Sequence, residues 1–338
     1  VPGLQLNDKK ILKLNTNENP FSLPHSAIAE IEQSLHQNRL HLYPNPDSAK
    51  LRHELGEIYE CGAESVFIGN GSDEILRLVF QAFTEPGESS ITALDPSYSL
   101  YSVLAQMVGA ELDFISLRDD FTADLDLMLR SKSKLAVITN PNAPTGIELS
   151  RATLLDFLEK WNRPLLIDEA YTAFGSQSLM KKRNPLLMVC GTFSKAYSLA
   201  GMRIGWLIAD SNLIAELDKL RDSYNVSYLA QECALSALRH LPIIEEHIQE
   251  ICSVRDRFSE ALTAIGYTVL PSNANFVFVR PPNQNGKQVY EYLYNHGVLV
   301  RHFSQERLQS FIRISIGTDN DMQRVIELLM SGSLLGHY

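Results

Sequence analysis

Between residues 65 and 210 the chain alternates short apolar, β-branched runs with longer stretches of helical period, and that rhythm permits few architectures. It predicts strands at Ser65–Gly69, Ser89–Leu94, Lys134–Thr139, Pro164–Asp168, Leu186–Phe193 and Arg203–Ala209. Between them it predicts helices such as Ser72–Phe83, Tyr98–Val108 and Ser150–Trp161, the last opened by Ser150 as N-cap. The runs LAVIT (135–139), LLI (165–167) and LLMV (186–189) are apolar at consecutive positions. Strands read that way when helices cover both faces of a largely parallel sheet, so the expected fold class is α/β. Past Asn212 a helical region reaches about Ala264, broken near Pro242. Strands at Asn275–Val279, Val298–Arg301 and Phe311–Ile316, with helices near Lys287–Asn295 and Asp319–Met330, then make a smaller α+β unit.

Charge and cysteine usage narrow the function classes. Forty Asp and Glu against thirty Lys and Arg give a net charge of -10, a field that repels polyanions, so nucleic acid is not an expected partner. The uncharged run Pro96–Ala110 is rich in Ser, Tyr and Gln and falls short of the ~18–20 apolar residues of a spanning helix, so no membrane segment is expected. Val1–Lys10 has no apolar core of signal-peptide type, and a cytoplasmic location is the expectation. Cys61, Cys190, Cys233 and Cys252 are scattered without a CxxC pair or Cys/His cluster, which suggests neither disulfide nor metal site.

The strongest chemical signal is TFSKAYSLAGMRIG (192–205), directly after an apolar strand. A lone lysine there would be a solvated surface residue. Lys195 instead has hydroxyls at Thr192 and Ser194, Arg203 eight residues on, and glycines on either side of that arginine. Donors, a bidentate cation and room for close backbone approach are what a phosphate beside a reactive amine requires. A desolvated amine near other cations loses its proton more readily and can form a Schiff base. The second signal is Asp168 in PLLIDEAY (164–171), a carboxylate at the C-terminal end of a strand, where open α/β sheets bind ligands. An apolar run ending in Asp-Glu also resembles a Walker B strand, but no GxxxxGK[ST] segment accompanies it. GNGSDE (69–74) half-matches the dinucleotide fingerprint, with Glu74 where glycine is needed, and keeps only the general capacity of a helix N-terminus for phosphate. NPNAPTG (140–146) is a rigid turn that brings Asn142 to the sheet edge carrying Asp168 and Lys195.

With NTNENP (15–20), YPNPD (43–47), DPSYSLY (95–101), NANF (273–276) and FIRISIGT (311–318), these motifs run in one order from residue 14 to about 330. The set resembles the histidinol-phosphate aminotransferases, within the fold-type I pyridoxal-phosphate enzymes. The resemblance implies a large domain (29–236) built on a mostly parallel sheet between helices. It also implies an N-terminal segment (1–28) packing with a smaller α+β C-terminal domain (237–330), and a tail (331–338). It implies pyridoxal 5'-phosphate as cofactor, with Lys195 as covalent anchor and general base. Asp168 matches the partner of the pyridinium nitrogen, Asn142 and Tyr171 the groups on the ring oxygen, and Tyr98 the aromatic stacked on the ring. Ser72, Asp73, Thr192, Ser194 and Arg203 match the phosphate ligands. Tyr43 matches a tyrosine that reaches the phosphate of the neighbouring subunit, which implies a homodimer. Arg313 and Arg301 match anion contacts for substrate, and Asn17 lies where the N-terminal segment closes over it. The implied reaction takes histidinol phosphate and 2-oxoglutarate to imidazole acetol phosphate and glutamate. An aromatic amino-acid aminotransferase and a threonine-phosphate decarboxylase of the same fold are the alternatives.

Overall fold

The computed structural model describes residues 11–334 except 38, 86, 88, 89 and 176. Expectations that fall on 1–10, on Ser89 and on 335–338 lie outside the described residues. Among the described residues thirteen strands occur: β1 (Leu12–Lys13), β2 (Val66–Gly69), β3 (Ser90–Asp95), β4 (Glu111–Ser116), β5 (Leu135–Thr139), β6 (Leu165–Asp168), β7 (Leu187–Thr192), β8 (Gly205–Ile208), β9 (Thr268–Val269), β10 (Phe276–Arg280), β11 (Val298–Leu299), β12 (Arg301–His302) and β13 (Ile312–Ser315). The helices are α1 (His25–His36), α2 (Ala49–Ile58), α3 (Ser72–Phe83), α4 (Leu100–Val108), α5 (Leu125–Met128), α6 (Arg151–Trp161), α7 (Ser211–Leu220), α8 (Tyr228–Arg239), α9 (Leu241–Ala264), α10 (Gly286–Asn295) and α11 (Asp319–Leu334).

Seven strands form the central sheet in the order β2-β8-β7-β6-β5-β3-β4. All run in one direction except β8, which is antiparallel to both β2 and β7. Alternate residues of each strand face opposite layers. Phe67, Val137, Leu166 and Met188 pack with α3, α4 and α7. Ile68, Ile138, Ile167 and Val189 pack with α2, α6 and α8. Burial of both faces explains why these strands read as unbroken apolar runs. The edge strand β4 carries no such run, because most of its residues are exposed, and the apolar rhythm overlooked it. Ser150 does cap α6, accepting from the Thr153 amide.

The C-terminal part builds a four-stranded antiparallel sheet, β12-β13-β10-β9, with its own core around Phe276, Val277, Ile314 and Leu293. The single strand expected over Val298–Arg301 divides at Val300: β11 pairs in parallel with β1, and β12 pairs with β13. The helical region after Asn212 is broken twice, once at 221–227 and again where Pro242 opens α9. The last helix, expected to stop at Met330, runs to Leu334, into the stretch expected as tail.

Candidate active site

The ends of β5, β6 and β7 and the start of the reversed strand β8 meet at one edge of the central sheet. Registers Thr139↔Asp168, Gly69↔Gly205 and Thr192↔Gly205 place their flanking residues side by side. The reversal of β8 is what returns Arg203, just before that strand, to the edge where β2 feeds α3.

At that junction Gly71 adopts φ +80° and leads into α3, which has no side-chain cap. A Cβ on Gly71 would stand 2.7 Å from Arg203 Nη2, and one on Gly205 would stand 2.8 Å from the Ser72 amide nitrogen. Gly205 is therefore needed for the close approach of backbone, and Gly71 for its left-handed conformation. Arg203 donates to Ser194 Oγ at 3.2 Å and to Asp73 Oδ2 at 3.1 Å, and Thr192 Oγ1 lies 3.0 Å from Ser194 Oγ. Hydroxyls, an arginine fork and an uncapped helix N-terminus converge here, the combination that binds a phosphate monoester. Tyr98 donates to Asp73 Oδ1 at 3.0 Å and meets Tyr101 edge-on.

Asp168 is 3% exposed at the end of β6. Burial pushes its carboxyl up to about 6, opposed by the Ala170 amide on Oδ1 at 3.2 Å and the Tyr101 hydroxyl on Oδ2 at 3.1 Å. Asp73 adds repulsion and Lys195 attraction. The Lys195 amine donates to the Thr16 carbonyl at 3.0 Å and lies 5.8 Å from the Tyr171 ring centroid. Asn19 ties the same turn down through the Lys195 and Ala196 carbonyls, both at 3.1 Å. Asn142 donates to the Pro96 carbonyl and to Thr145 Oγ1, which leaves its Oδ1 buried without a hydrogen-bond partner.

Asn17, 1% exposed and at φ +56°, joins the two sheets. Its amide side chain donates to Tyr171 Oη at 2.9 Å, its Oδ1 accepts from Ser315 Oγ at 3.0 Å, and its carbonyl accepts from Asn275. Its oxygen and at least one amide proton are therefore engaged within the protein. Arg313 on β13 stands opposite Arg301 on β12. Arg313 donates to the Asn15 carbonyl at 3.1 Å, lies over the rings of Phe276 and Phe303, and has a buried Nε with no partner. Arg301 lies over the same Phe303. Tyr43 is apart from these groups: 80% exposed and stacked on Tyr224, it lines a cleft of about 420 Å³ that also includes Asn70 and Arg203.

Tyr101, Thr139, Ser315 and Asn275 also belong to the site, and sequence reasoning missed all four. Tyr101 ends DPSYSLY, but nothing in the sequence indicates that its hydroxyl meets Asp168. Asn275 and Ser315 fall within NANF and FIRISIGT, which assign them no role, and Thr139 reads as an ordinary strand residue.

The buried acids set a pH dependence. Asp168, ordinarily 3.8, rises to about 6, and Glu169, ordinarily 4.5, rises to about 7, each chiefly through burial. Between the ordinary and the raised values the folded chain holds protons that the unfolded chain has released, so stability falls as pH rises. Two units on Asp168 correspond to on the order of 3 kcal/mol. Urea unfolding of the cofactor-free chain should show its midpoint decreasing between about pH 4 and pH 7. Asp168→Asn should flatten the lower part of that fall; a flat wild-type profile would contradict this account.

Residues 9–329 match the family described as aminotransferase class I and II. The histidinol-phosphate aminotransferase of Syntrophus aciditrophicus is 40% identical over 339 residues, covering 97% of this chain and 94% of that protein. That of Syntrophotalea carbinolica is 39% identical over 332 residues, covering 97% and 95%. Among solved structures, a putative aminotransferase of Burkholderia pseudomallei superposes with TM-score 0.85 at 30% identity, covering 96% of this chain and 98% of that one. The histidinol-phosphate aminotransferase of Sinorhizobium meliloti, determined in complex with pyridoxal-5'-phosphate, has the same fold, with TM-score 0.88 at 24% identity and coverage of 95% and 91%. With a sheet edge that converges on a phosphate cradle, a lysine and a buried acid, the chain belongs to the class I and II aminotransferases, in the histidinol-phosphate aminotransferase family.

Proposed function

We propose that this chain exchanges the amino group of histidinol phosphate for the oxo group of 2-oxoglutarate, giving imidazole acetol phosphate and glutamate in histidine biosynthesis, with pyridoxal 5'-phosphate as cofactor. The observation that carries the substrate assignment is the cross-strand pair Arg301 and Arg313, which has no carboxylate partner among the described residues. Like charges placed opposite each other oppose folding unless an anion joins them. A guanidinium binds carboxylate and phosphate alike, so one pair can serve two substrates that carry different anionic groups.

The residues present fit the cofactor on three counts. The cradle leaves no room for a Cβ at Gly205 and bends through a left-handed Gly71, Asn142 Oδ1 is buried without a partner, and Asp168 is a buried acid able to face a cationic ring nitrogen. In this reading Ser72, Asp73, Thr192, Ser194 and Arg203 hold the phosphate, with Ser72 and Asp73 acting through their backbone amides. Tyr98 covers the ring, and Asn142 and Tyr171 bind its hydroxyl. When bound, the pyridinium ring supplies an electron sink for the charge left at the substrate's Cα. Asp168 keeps the ring nitrogen protonated, an opposite charge that also draws its own carboxyl back towards the ionised form. Lys195 offers the anchoring amine and is the base that takes and returns the Cα proton. Asn17 holds the Tyr171 hydroxyl, at the place where the N-terminal segment would close over substrate. The division into an N-terminal segment, large domain, small domain and tail at 28, 236 and 330 belongs to the same proposal.

The working unit is proposed to be a cytoplasmic homodimer. Four free thiols suit a reducing compartment. Leu40, Leu42, Tyr43 and Tyr224 expose apolar surface beside the cleft that reaches Arg203, and a second subunit would cover it.

Loaded protein should form glutamate from histidinol phosphate and 2-oxoglutarate faster than from phenylalanine or tyrosine as donor; carbon dioxide release from threonine phosphate would instead identify a decarboxylase. Lys195→Ala should lower turnover by about 10²–10⁴ or more while still binding pyridoxal phosphate in equilibrium dialysis. Arg313→Ala should raise KM for both glutamate and histidinol phosphate by about 10- to 100-fold, and loss of only one would refute the shared clamp. Refolded together, inactive Lys195→Ala and Tyr43→Ala chains should regain activity through hybrid dimers with one intact site; no regain would mean that Tyr43 serves its own subunit.

A further inference from the structure

Behind Asp168, on the side away from Lys195's strand end, lies a row of hydroxyls that the proposed reaction does not yet use. Tyr101 is fully buried on α4, its ring stacked on Phe80 at 6.1 Å and met edge-on by Tyr98 at 5.7 Å. Its hydroxyl reaches Asp168 Oδ2 at 3.1 Å and Thr139 Oγ1 at 2.6 Å, and Thr139 Oγ1 lies 3.1 Å from Ser97 Oγ. Each hydroxyl has a single proton. If Tyr101 gives its proton to the carboxylate, the Thr139 hydroxyl is free to donate to Tyr101 and that of Ser97 to Thr139. The row then points one way, and each bond polarises the next.

We propose that Tyr101, backed by Thr139 and Ser97, is a positioning residue that holds Asp168 as an oriented carboxylate. This rests on the reading that Asp168 faces the cofactor's ring nitrogen. The Ala170 amide fixes Oδ1 and Tyr101 fixes Oδ2, so the carboxyl plane is set from behind and the remaining lone pairs are left for the ligand. The hydrogen bond from Tyr101 favours the charged form against the burial that opposes it. The other titratable groups around the carboxyl are Asp73 at the start of α3, Tyr98 before α4, Glu169 next in the chain, Cys190 on β7 and Lys195 beyond it. Asp73 disfavours the charge and Lys195 favours it, but neither is hydrogen-bonded to it. Ser97 also neighbours Tyr98, so the same row ties the segment carrying the stacking ring to the acid.

The test is Tyr101→Phe, which keeps the ring and removes only the hydroxyl, with Thr139→Val as a second variant that leaves Tyr101 intact. In the cofactor-free chain, titration of the Asp168 carboxyl is followed by its infrared carbonyl band, assigned by its loss in Asp168→Asn. Loss of a hydrogen bond to a charged group should raise the midpoint by about one pH unit in Tyr101→Phe, with a smaller rise in the same direction in Thr139→Val. In the loaded protein, Tyr101→Phe should slow the half-reaction with glutamate about tenfold while its dissociation constant for pyridoxal phosphate changes less than threefold. An unchanged or lowered titration midpoint in Tyr101→Phe would overturn the proposal. The expected midpoint rise in Tyr101→Phe together with a wild-type chain that binds no pyridoxal phosphate would overturn the cofactor reading, and with it the purpose assigned to Tyr101, while leaving the hydrogen bond itself established.

Discussion

Burying the carboxyl of Asp168 at the end of a strand covered on both faces is the constraint around which the rest of the site is arranged. Water is excluded, so the charge must be met by groups brought to it. The backbone amide of Ala170 and the hydroxyl of Tyr101 meet it from within the protein, and they leave the group well above an ordinary carboxyl. That incomplete compensation makes the acid responsive to any cation that approaches its open side. Lys195 is close enough to contribute, yet its amine is hydrogen-bonded to the Thr16 carbonyl and not to the acid. The two groups therefore remain separate, as the proposed division between holding a charge and moving a proton requires.

The groups proposed to bind anions sit in two stations on different sheets. Arg203 and the start of α3 belong to the central sheet, while Arg301 and Arg313 belong to the small antiparallel sheet. Between them runs the segment from Asn15 to Asn19. Its carbonyls accept from Arg313 and Lys195, and its side chains hold Tyr171 and the Lys195 turn. A short irregular stretch near the N-terminus thus keeps cations of both sheets hydrogen-bonded at the same site. The left-handed conformation of Asn17 persists because Ser315, Asn275 and Tyr171 all bond to that one residue.

Legibility in the sequence followed the physics of each element. Strands buried on both faces announce themselves as apolar runs, and β5, β6 and β7 fall within a residue or so of their expected bounds. The half-exposed edge strand β4 lacks that signature. The run VLVRHF reads as one strand because each residue in it suits a sheet; its division at Val300 depends on two different partners, β1 and β13, that no local pattern can identify. Lys195, Asp168, Arg203 and Asn142 stood out because their neighbours in sequence are unusual. Tyr101 and Thr139 did not, since a tyrosine in a helix and a threonine closing a strand have ordinary structural explanations.

By itself the amino-acid order determined the alternation of strand and helix, the placing of Asp168 and Lys195 at strand ends, and the motif series of the aminotransferases, because every single element and motif in them is carried by residues close together in the chain. Only the tertiary structure decided that β8 runs backwards and so returns Arg203 to the cradle, that Arg301 and Arg313 face each other across two strands, and that a tyrosine hydroxyl backs the buried acid. Those relations are set by strand direction, register and the filling of a shared core, and none leaves a local mark in the sequence.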